Sequence, residues 1–317
     1  MFQRCKENPL IRPADAAPSA PGFEVIGTFN PGVAVCGRET ILLLRTAERC
    51  VQEPKMASVP VYRFEDGRGI PEVRRFDRND PELSLKDSRG VVYRGRDYLS
   101  SISHIRLARS MDGVHFTVDR DPFIFPCTPE EEYGMEDARA VEIDGRWYIN
   151  YSVISRDSWA TALAVTDDFR TLKRKGIIFH PENKDVAIFP EKIGGRYHAL
   201  HRPNNSGFGK ASIWYAQSPD LIHWGGHRCI VRPRNTPQES MKIGGGSAPI
   251  KTEKGWLTIY HAKGDNQRYS LFALLLDLEK PWKVIARGDR PVFEPEAACE
   301  TSGFFPNVVF TNGLLLQ

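Results

Sequence analysis

Two adjacent carboxylates and an arginine stand immediately before a strand-like run in the stretch YGMEDARAVEIDGRWYINYS, residues 133–152. These residues are Glu136, Asp137 and Arg139. A surface salt bridge needs no such apolar setting, whereas a catalytic carboxylate must be held rigidly while neighbouring charge tunes its proton affinity. Asp137 is therefore a candidate general acid for cleavage of a glycosidic bond, which carboxylates commonly perform. The alternative is a turn residue that pairs with Arg139.

Hydrogen-bond donors are concentrated in three other segments. The segment 182–205, ENKDVAIFPEKIGGRYHALHRPNN, contains Asn183, Lys184, Asp185, His201, Arg202 and Asn204. The segment 101–110, SISHIRLARS, adds His104 and Arg106. In ESMKIGGGSAPI, residues 239–250, Lys242 precedes three glycines, which would let a small anion meet bare N–H groups. Such clusters suit a phosphate or sugar hydroxyls, although a Gly-rich turn between strands is the common explanation for the last one.

Other chemistries lack their sequence signatures. No HExxH motif or Cys/His cluster suggests a catalytic metal, no G-x-S-x-G elbow suggests a serine nucleophile, and no P-loop is present. The 43 basic and 40 acidic residues leave a net charge of +3, which gives no case for nucleic acid or an acidic membrane as a partner. The six cysteines are scattered and predict reduced thiols: Cys5, Cys36, Cys50, Cys127, Cys229 and Cys299.

The ends and apolar runs of the chain indicate its location. The N-terminal stretch MFQRCKENPLIRPADAAPSAPG has no apolar segment of the kind found in signal peptides. The longest apolar runs are far too short to span a membrane. We therefore expect a cytoplasmic protein with no membrane association.

Two alternating sequence patterns predict the fold. One has a Gly turn, an aromatic residue and alternating apolar residues, as in DGRWYINYS (144–152), GGRYHALHR (194–202) and EKGWLTIYHA (253–262). Looser copies are GRETILLLRTA (37–47) and NGLLLQ (312–317). The other places a Ser/Thr-x-Asp turn after a strand, as in RLARSMDGVHF (106–116), LAVTDDFRTL (163–172) and WYAQSPDLIHW (214–224). Self-similarity at a spacing of roughly 50 residues predicts an all-β fold, a β-propeller of about five blades.

Equivalent positions in these repeats are expected to converge on one funnel. Arg45, Tyr151, Arg202 and His261 occupy such positions. Taken singly, a strand arginine is more often a surface ion pair and a strand histidine a satisfied core residue. Two arginines and a histidine that meet in one pocket would form an anion site.

The chain resembles glycoside hydrolase family 130 through a collinear series of motifs from about residue 8 to 313. These motifs are NPLIRP, FNPGV, LLLRTAE, SHIRLARSMDGVHF, YGMEDARA, NKDVAIFPEKIGGRYHALHRP, KIGGGSAPIKTEKGWLTIYHA, YSLFALLLDLEKPWKVIARGDRPVFEPE and ETSGFFPNVVFTNG. The resemblance implies a single five-bladed β-propeller domain over residues 1–317, with 1–25 as an extended N-terminal segment. It also implies reversible, inverting phosphorolysis of β-mannosides that yields α-mannose 1-phosphate.

The resemblance further implies roles for individual residues. Asp137 would be the general acid and would protonate the leaving oxygen through a hydroxyl of the mannosyl unit. The expected phosphate-binding residues are Arg202, Lys242, His261, Asn183 and Tyr269. The expected substrate-binding residues are Arg45, His104, Glu136, Arg139, Asp185 and Asn204. The predicted partners are a β-linked mannoside oligosaccharide and inorganic phosphate as co-substrate, with no cofactor, no metal and a possible homo-oligomer.

The sequence departs from the family pattern at two places. Ala138 replaces the usual proline after Asp137, which loosens the backbone and keeps both charges. The chain ends at NGLLLQ, where family members continue with another strand. We therefore expect either an incomplete last blade or a ring closed by the N-terminal segment alone.

Two alternatives remain open at this level. An inverting β-mannoside hydrolase would need a second carboxylate, Glu182 or Glu239, about 6.5–9.5 Å from the acid to activate water. A non-catalytic carbohydrate-binding propeller would bind sugar without turnover. The region 52–100 is the predicted acceptor-side or oligomer-contact element.

Overall fold

The computed structural model describes residues 2–87, 89–204 and 207–315, without the side chains of 86 and 87. Strands make up 52% and helices 3% of the structure. The prediction of an all-β protein is therefore confirmed. No helix among the described residues has the length and apolar character needed to traverse a lipid bilayer.

Four antiparallel sheets follow one another along the chain. The first contains, in order, β1 (Phe23–Cys36), β2 (Glu39–Cys50), β8 (Ile102–Ser110) and β9 (Thr117–Val118). The second contains β10 (Met135–Ile143), β11 (Arg146–Ile154), β12 (Trp159–Thr166) and β13 (Lys173–Phe179). The third contains β14 (Asn183–Ile188), β15 (Tyr197–Pro203), β16 (Ile213–Ser218) and β17 (Gly225–Val231). The fourth contains β18 (Lys242–Gly245), β20 (Gly255–Lys263), β21 (Tyr269–Leu276) and β22 (Val284–Arg287), with β19 (Ile250–Thr252) also paired to β20.

The region between β2 and β8 forms two smaller sheets. One is the hairpin of β3 (Met56–Glu65) and β4 (Arg68–Asp77), and the other joins β5 (Leu83–Asp87), β6 (Gly90–Tyr93) and β7 (Arg96–Leu99). Helical structure is limited to two 3₁₀ turns and one short helix. These are Pro13–Asp15, Pro129–Glu131 and α1 (Ala298–Thr301).

An aspartate turn links the last two strands of every one of the four sheets. The carboxylates of Asp112, Asp168, Asp220 and Asp277 each accept two backbone N–H groups at 2.8 to 3.0 Å. Such Asx turns are why aspartate recurs at this position. The sequence pattern predicted the first three, and the structure adds the fourth at Asp277.

Apolar clusters join the sheets pairwise in chain order. Leu43 and Leu107 of the first sheet pack with Ile149 of the second. A second cluster joins sheets two and three, and a third places Phe189, which directly follows β14 of sheet three, beside Trp256 of sheet four. Consecutive face-to-face packing is what a propeller requires. The described residues contain four such sheets, so the closed five-bladed ring stays a prediction.

The described segments near the two ends of the chain contact each other, and the segment after α1 contacts both Asn30 of the first sheet and Tyr269 of the fourth. Arg4 pairs with Glu300 of α1 at 2.8 Å and lies 4.2 Å from the ring centroid of Phe293. Of the predicted further repeat NGLLLQ, residues 312–315 are not in a strand, and residues 316–317 lie outside the described part of the chain.

Candidate active site

The first strands of three sheets each contain a register shift, and each shift carries a polar residue with positive φ. These residues are Asn30 (φ 49°) in β1, Asp137 (φ 51°) in β10 and Asp185 (φ 55°) in β14. Asn and Asp tolerate this left-handed conformation better than other non-glycine residues. A bulge redirects side chains that a regular strand would alternate. The three bulges build the candidate site.

Asp137 is held through one of its two carboxylate oxygens. Its Oδ1 accepts hydrogen bonds from Asn30 Nδ2 and from the Arg45 guanidinium, both at 3.0 Å. No group of the described residues contacts Oδ2 within hydrogen-bond distance, and 12% of the Asp137 side chain is exposed. One oxygen is therefore fixed, and the other is available to a ligand.

Glu136 lies between two cations beside the acid. Its carboxylate accepts from Arg45 at 2.6 Å and from Lys184 Nζ at 2.7 Å. Burial opposes ionisation, but the charges of Arg45 and Lys184 outweigh it and lower the pKa of Glu136 to about 2. Glu136 is thus a permanent anion that orients Arg45 toward Asp137.

Arg139 connects the acid to the third and fourth sheets. It donates to the carbonyl of Asp137 at 3.1 Å and to those of Gly245 and Gly246 at 3.0 and 2.6 Å. The same guanidinium lies 3.3 Å from Asp185. With 2% exposure it is a buried clamp on the Asp137 bulge.

Asp185 is surrounded by predicted phosphate-binding residues. Its Oδ2 lies 2.9 Å from Arg202 and 3.3 Å from His261 Nε2. Burial alone would raise the pKa of Asp185, but Arg202, His261 and Arg139 hold it well below its usual range. Gly244 makes this approach possible, because a Cβ there would lie 2.2 Å from Asp185 Oδ2 and 2.6 Å from the His261 ring.

Lys242 has no carboxylate partner in the described part of the chain. Its Nζ lies over the ring of Tyr269, 5.4 Å from the centroid. Burial, and then repulsion by Arg202 and Lys184, lower its pKa to about 8. A half-buried cation without a directly bound counter-ion is costly, so this position favours binding of an anion.

Two further nitrogens near Lys242 lack hydrogen-bond partners. Arg202 Nε and His261 Nδ1 are buried, and no acceptor of the described residues reaches them. Burial lowers the pKa of His261 despite the attraction of Asp185, which favours the neutral imidazole. The ring of His261 lies 4.2 Å from that of Phe310 between centroids.

A cavity of about 1010 Å³ opens beside the acid. Asn30, Arg45, Glu136 and Asp137 contribute to its lining, together with Tyr269. Arg202, Lys242 and His261 are not among the lining residues, and they meet the acid cluster through Arg139, Asp185 and Lys184. Aromatic side chains at the same cavity are Phe29, Phe304, Phe305 and Phe310.

Three sequence candidates lie apart from these groups. His104 is completely buried, accepts from Arg106 Nε at 3.1 Å and has a pKa lowered to about 3 by burial and by Arg106. Its position leaves no surface for a substrate. Asn204 donates to Glu182 at 3.1 Å. Asn183 contacts His201 at 3.0 Å, and its Oδ1 has no partner among the described residues.

Tyr151 does not join the other residues at repeat-equivalent positions. It packs in the apolar cluster between the first two sheets, and its hydroxyl accepts from Arg174 at 3.3 Å. Arg45, Arg202 and His261 each lie on the second strand of their sheet. Arg202 and His261 meet at the carboxylate of Asp185, whereas Arg45 lines the cavity beside Asp137. One pocket shared by the repeat-equivalent residues stays a prediction.

The carboxylates considered as a second catalytic group are engaged elsewhere. Glu239 is fully buried, and its two oxygens contact the Tyr260 hydroxyl at 2.5 Å and Arg287 at 2.9 Å. Glu182 accepts from Asn204 as described above. Neither contacts Asp137, and Glu239 has no oxygen left to activate a water molecule. No group of metal-ligating side chains occurs in the described ranges, and all six cysteines are free.

Asn30 is the site residue that the sequence reasoning missed. It stands in FNPGV, where an Asn-Pro-Gly sequence interrupts a strand pattern, and such turn residues inside a strand signal a bulge. Its contact with Asp137 spans 107 positions of sequence.

Comparison with known proteins gives a consistent result. The family model for glycoside hydrolase family 130, described as beta-1,4-mannooligosaccharide phosphorylase, matches residues 80–317. The chain is 45% identical to the beta-1,2-mannobiose phosphorylase of Listeria innocua, over 99% of this chain and 89% of that protein. It is 41% identical to the 1,2-beta-oligomannan phosphorylase of a Thermoanaerobacter species, over 70% of this chain and 76% of that protein. The solved structure of the Listeria innocua enzyme with β-1,2-mannobiose matches with a TM-score of 0.94 and 44% identity, covering 99% of this chain and 90% of that one.

Proposed function

Because this chain belongs to glycoside hydrolase family 130, we propose that it is an inverting phosphorylase of β-linked mannosides that forms α-mannose 1-phosphate reversibly. The observation that carries this proposal is Lys242, a half-buried cation with no ion-paired carboxylate in the described ranges, near Arg202. An inorganic phosphate would supply the missing counter-ion and would accept a hydrogen bond from the unpartnered Nε–H of Arg202.

The acid step uses the unoccupied oxygen of Asp137. Asn30 and Arg45 hold Oδ1, so Oδ2 carries the proton that is transferred. The proton passes to the leaving oxygen by way of a mannosyl hydroxyl, as the family resemblance implies. The bond between C1 and the leaving oxygen breaks, and the released sugar keeps the proton as a hydroxyl. Asp137 regains a proton from solvent.

The nucleophilic step needs no general base. Phosphate is already an anion, and one of its oxygens forms the new bond to C1 from the face opposite the leaving group, which inverts the anomeric centre. The cations Lys242 and Arg202, with the neutral His261 beside them, replace the hydration of the phosphate, a form of electrostatic preorganisation. A hydrolase would instead need a second carboxylate for water, and Glu239 is locked in its contacts with Tyr260 and Arg287.

The relatives favour a β-1,2 linkage in the substrate. The two relatives above 40% identity are named for β-1,2-mannosides, whereas a β-1,4-mannooligosaccharide phosphorylase from Ruminococcus albus is 34% identical over 66% of this chain. We therefore propose β-1,2-mannobiose as the first substrate to test, with β-1,4-mannobiose as the comparison.

The decisive experiment follows product formation with and without phosphate. We expect mannose 1-phosphate and mannose in equal amounts from β-1,2-mannobiose when phosphate is present, and no cleavage when it is absent. Release of two mannoses at the same rate without phosphate would show a hydrolase. Sugar binding without any turnover, unchanged in Asp137→Asn, would show a non-catalytic binding protein.

The remaining proposals concern architecture and setting. We propose a five-bladed propeller, supported by four sheets that pack face to face in chain order and by a segment after α1 that contacts both the first and the fourth. Cytoplasmic location, independence of any cofactor and a possible homo-oligomer remain predictions from the sequence. Negative-stain or crystallographic imaging and light scattering would test the ring and the oligomeric state.

A further inference from the structure

The bulge that presents Asn30 to the acid is itself held from behind by the C-terminal segment. The carbonyl oxygen of Asn30 accepts a hydrogen bond from Asn312 Nδ2 at 2.7 Å. A carbonyl can only accept, so the amide group of Asn312 must turn its NH₂ toward it. The chain of contacts therefore runs from Asn312 through Asn30 to Asp137 Oδ1.

Asn312 lies in a tightly packed, buried position, which indicates that its hydrogen bond to Asn30 is a specific contact. Asn312 is 1% exposed, and its Oδ1 has no partner among the residues that the structure describes. The next residue, Gly313, lies so close to β1 that a Cβ would come within 2.7 Å of the Val33 nitrogen. A buried amide with one unsatisfied oxygen is retained against a desolvation cost, which indicates that its other hydrogen bond has a purpose.

The same arrangement occurs on the acid itself. Asp137 also has a positive φ, and its carbonyl accepts from the buried side chain of Arg139 at 3.1 Å. The bulges of β1 and β10 thus each have a left-handed residue whose carbonyl is held by a buried side-chain donor. The two bulges are in direct contact, because a Cβ on Gly32 would lie 2.5 Å from the carbonyl oxygen of Ala138.

We propose that Asn312 is a positioning residue for the general acid. By holding the Asn30 bulge, it fixes the donor that keeps Asp137 Oδ1 occupied and leaves Oδ2 for proton transfer. The inference rests on the proposed phosphorolysis and adds to it a role for the segment that follows α1. Loss of the Asn312 donor lets the Asn30 carbonyl and side chain shift away from Asp137.

The test is a double-mutant cycle on phosphorolysis of β-1,2-mannobiose. Asn312→Leu removes the donor at similar volume, and Asn312→Ser is the second variant if the leucine variant does not fold, as judged by thermal unfolding. We expect kcat to fall about tenfold, equivalent to about 1.4 kcal/mol, with the KM for phosphate unchanged. In an Asn30→Ala background the same substitution should change kcat less than about twofold, because the donor to Asp137 is already absent.

The control is Thr252→Val, which removes a side-chain donor to the carbonyl of Gly255 in a remote turn. It should leave kcat unchanged. An equal loss of kcat from the Asn312 substitution in both backgrounds, or no loss in either, would overturn the positioning role. A wild-type protein that does not cleave mannosides with phosphate would overturn the proposed function and this inference together.

Discussion

Replacement of Lys242 by methionine removes the cation that has no carboxylate partner among the described residues and keeps most of the side-chain volume. If Lys242 holds phosphate, the variant loses a hydrogen bond to a charged group, which contributes about 1.5–3 kcal/mol. At 1.4 kcal/mol per factor of ten, the KM for phosphate should rise about 10- to 150-fold. The KM for mannobiose should change little, because Lys242 does not line the cavity beside Asp137.

The same substitution should stabilise the protein when phosphate is absent. Burial lowers the pKa of Lys242 to about 8 from its usual value of 10.5. At pH 7, below both pKa values, the lysine is charged in the folded and in the unfolded chain. The folded state therefore bears the full free-energy cost of keeping this charge in its half-buried place. Since one pKa unit corresponds to about 1.4 kcal/mol, Lys242→Met should raise the free energy of unfolding by up to about 3 kcal/mol.

The assay combines initial rates over a range of phosphate concentrations with chemical unfolding in phosphate-free buffer. The matched control is Lys263→Met, because Lys263 pairs with Lys242 across β18 and β20 and its Nζ also lies over Tyr269, 5.5 Å from the centroid. In this control we expect the KM for phosphate to change by less than about threefold. A Lys242 variant with normal phosphate KM, or one that is destabilised like an ordinary core substitution, would refute the assignment of an anion site.

Three other outcomes are expected. Asp137→Asn should lower kcat by about 10²–10⁴, the usual contribution of general acid catalysis, while phosphate binding measured by calorimetry stays within twofold. In the wild type, the KM for phosphate should rise with pH above about 8, because Lys242 loses its proton there; a flat profile would contradict a role for its charge. Gly244→Ala should raise the phosphate KM at least tenfold. The new Cβ would lie 2.2 Å from Asp185 Oδ2 and would push this carboxylate away from its present position. The control is Gly225→Ala, where a Cβ meets nothing within 4 Å, and it should leave the phosphate KM unchanged.

Part of the candidate site follows from repetition. Arg45, Arg202 and His261 each lie on the second strand of their sheet, and Arg202 and His261 meet at the carboxylate of Asp185. The Ser/Thr-x-Asp turns were equally predictable, since the side chain bonds to its own backbone two and three residues later. Local chemistry and periodicity therefore explain the all-β fold and the meeting of Arg202 with His261.

The failures share a different physical origin. His104 lies on a strand whose residues are almost all buried, so alternation could not tell which face meets the site. Asn30 became part of the site through a register shift and a contact across 107 positions. Neither feature is encoded in the composition of its own segment, because each depends on which strand packs opposite.

Broken alternation also answers why Glu136 and Asp137 are adjacent. In a regular strand two consecutive side chains point to opposite faces, yet both of these carboxylates bind the same guanidinium of Arg45. The bulge between Glu136 and Arg139 turns both side chains to the same side of the sheet. It holds Asp137 at a positive φ, which costs about 1–3 kcal/mol of backbone strain.

The same device operates one sheet further along the chain. Lys184 and Asp185 are consecutive, and a register shift lets Lys184 reach Glu136 while Asp185 reaches Arg202 and His261. Two bulges thus place two consecutive charged pairs in a single connected network. A carboxylate for proton transfer and cations for an oxyanion can then share one site, which regular strands with strict alternation would have placed on opposite faces of their sheets.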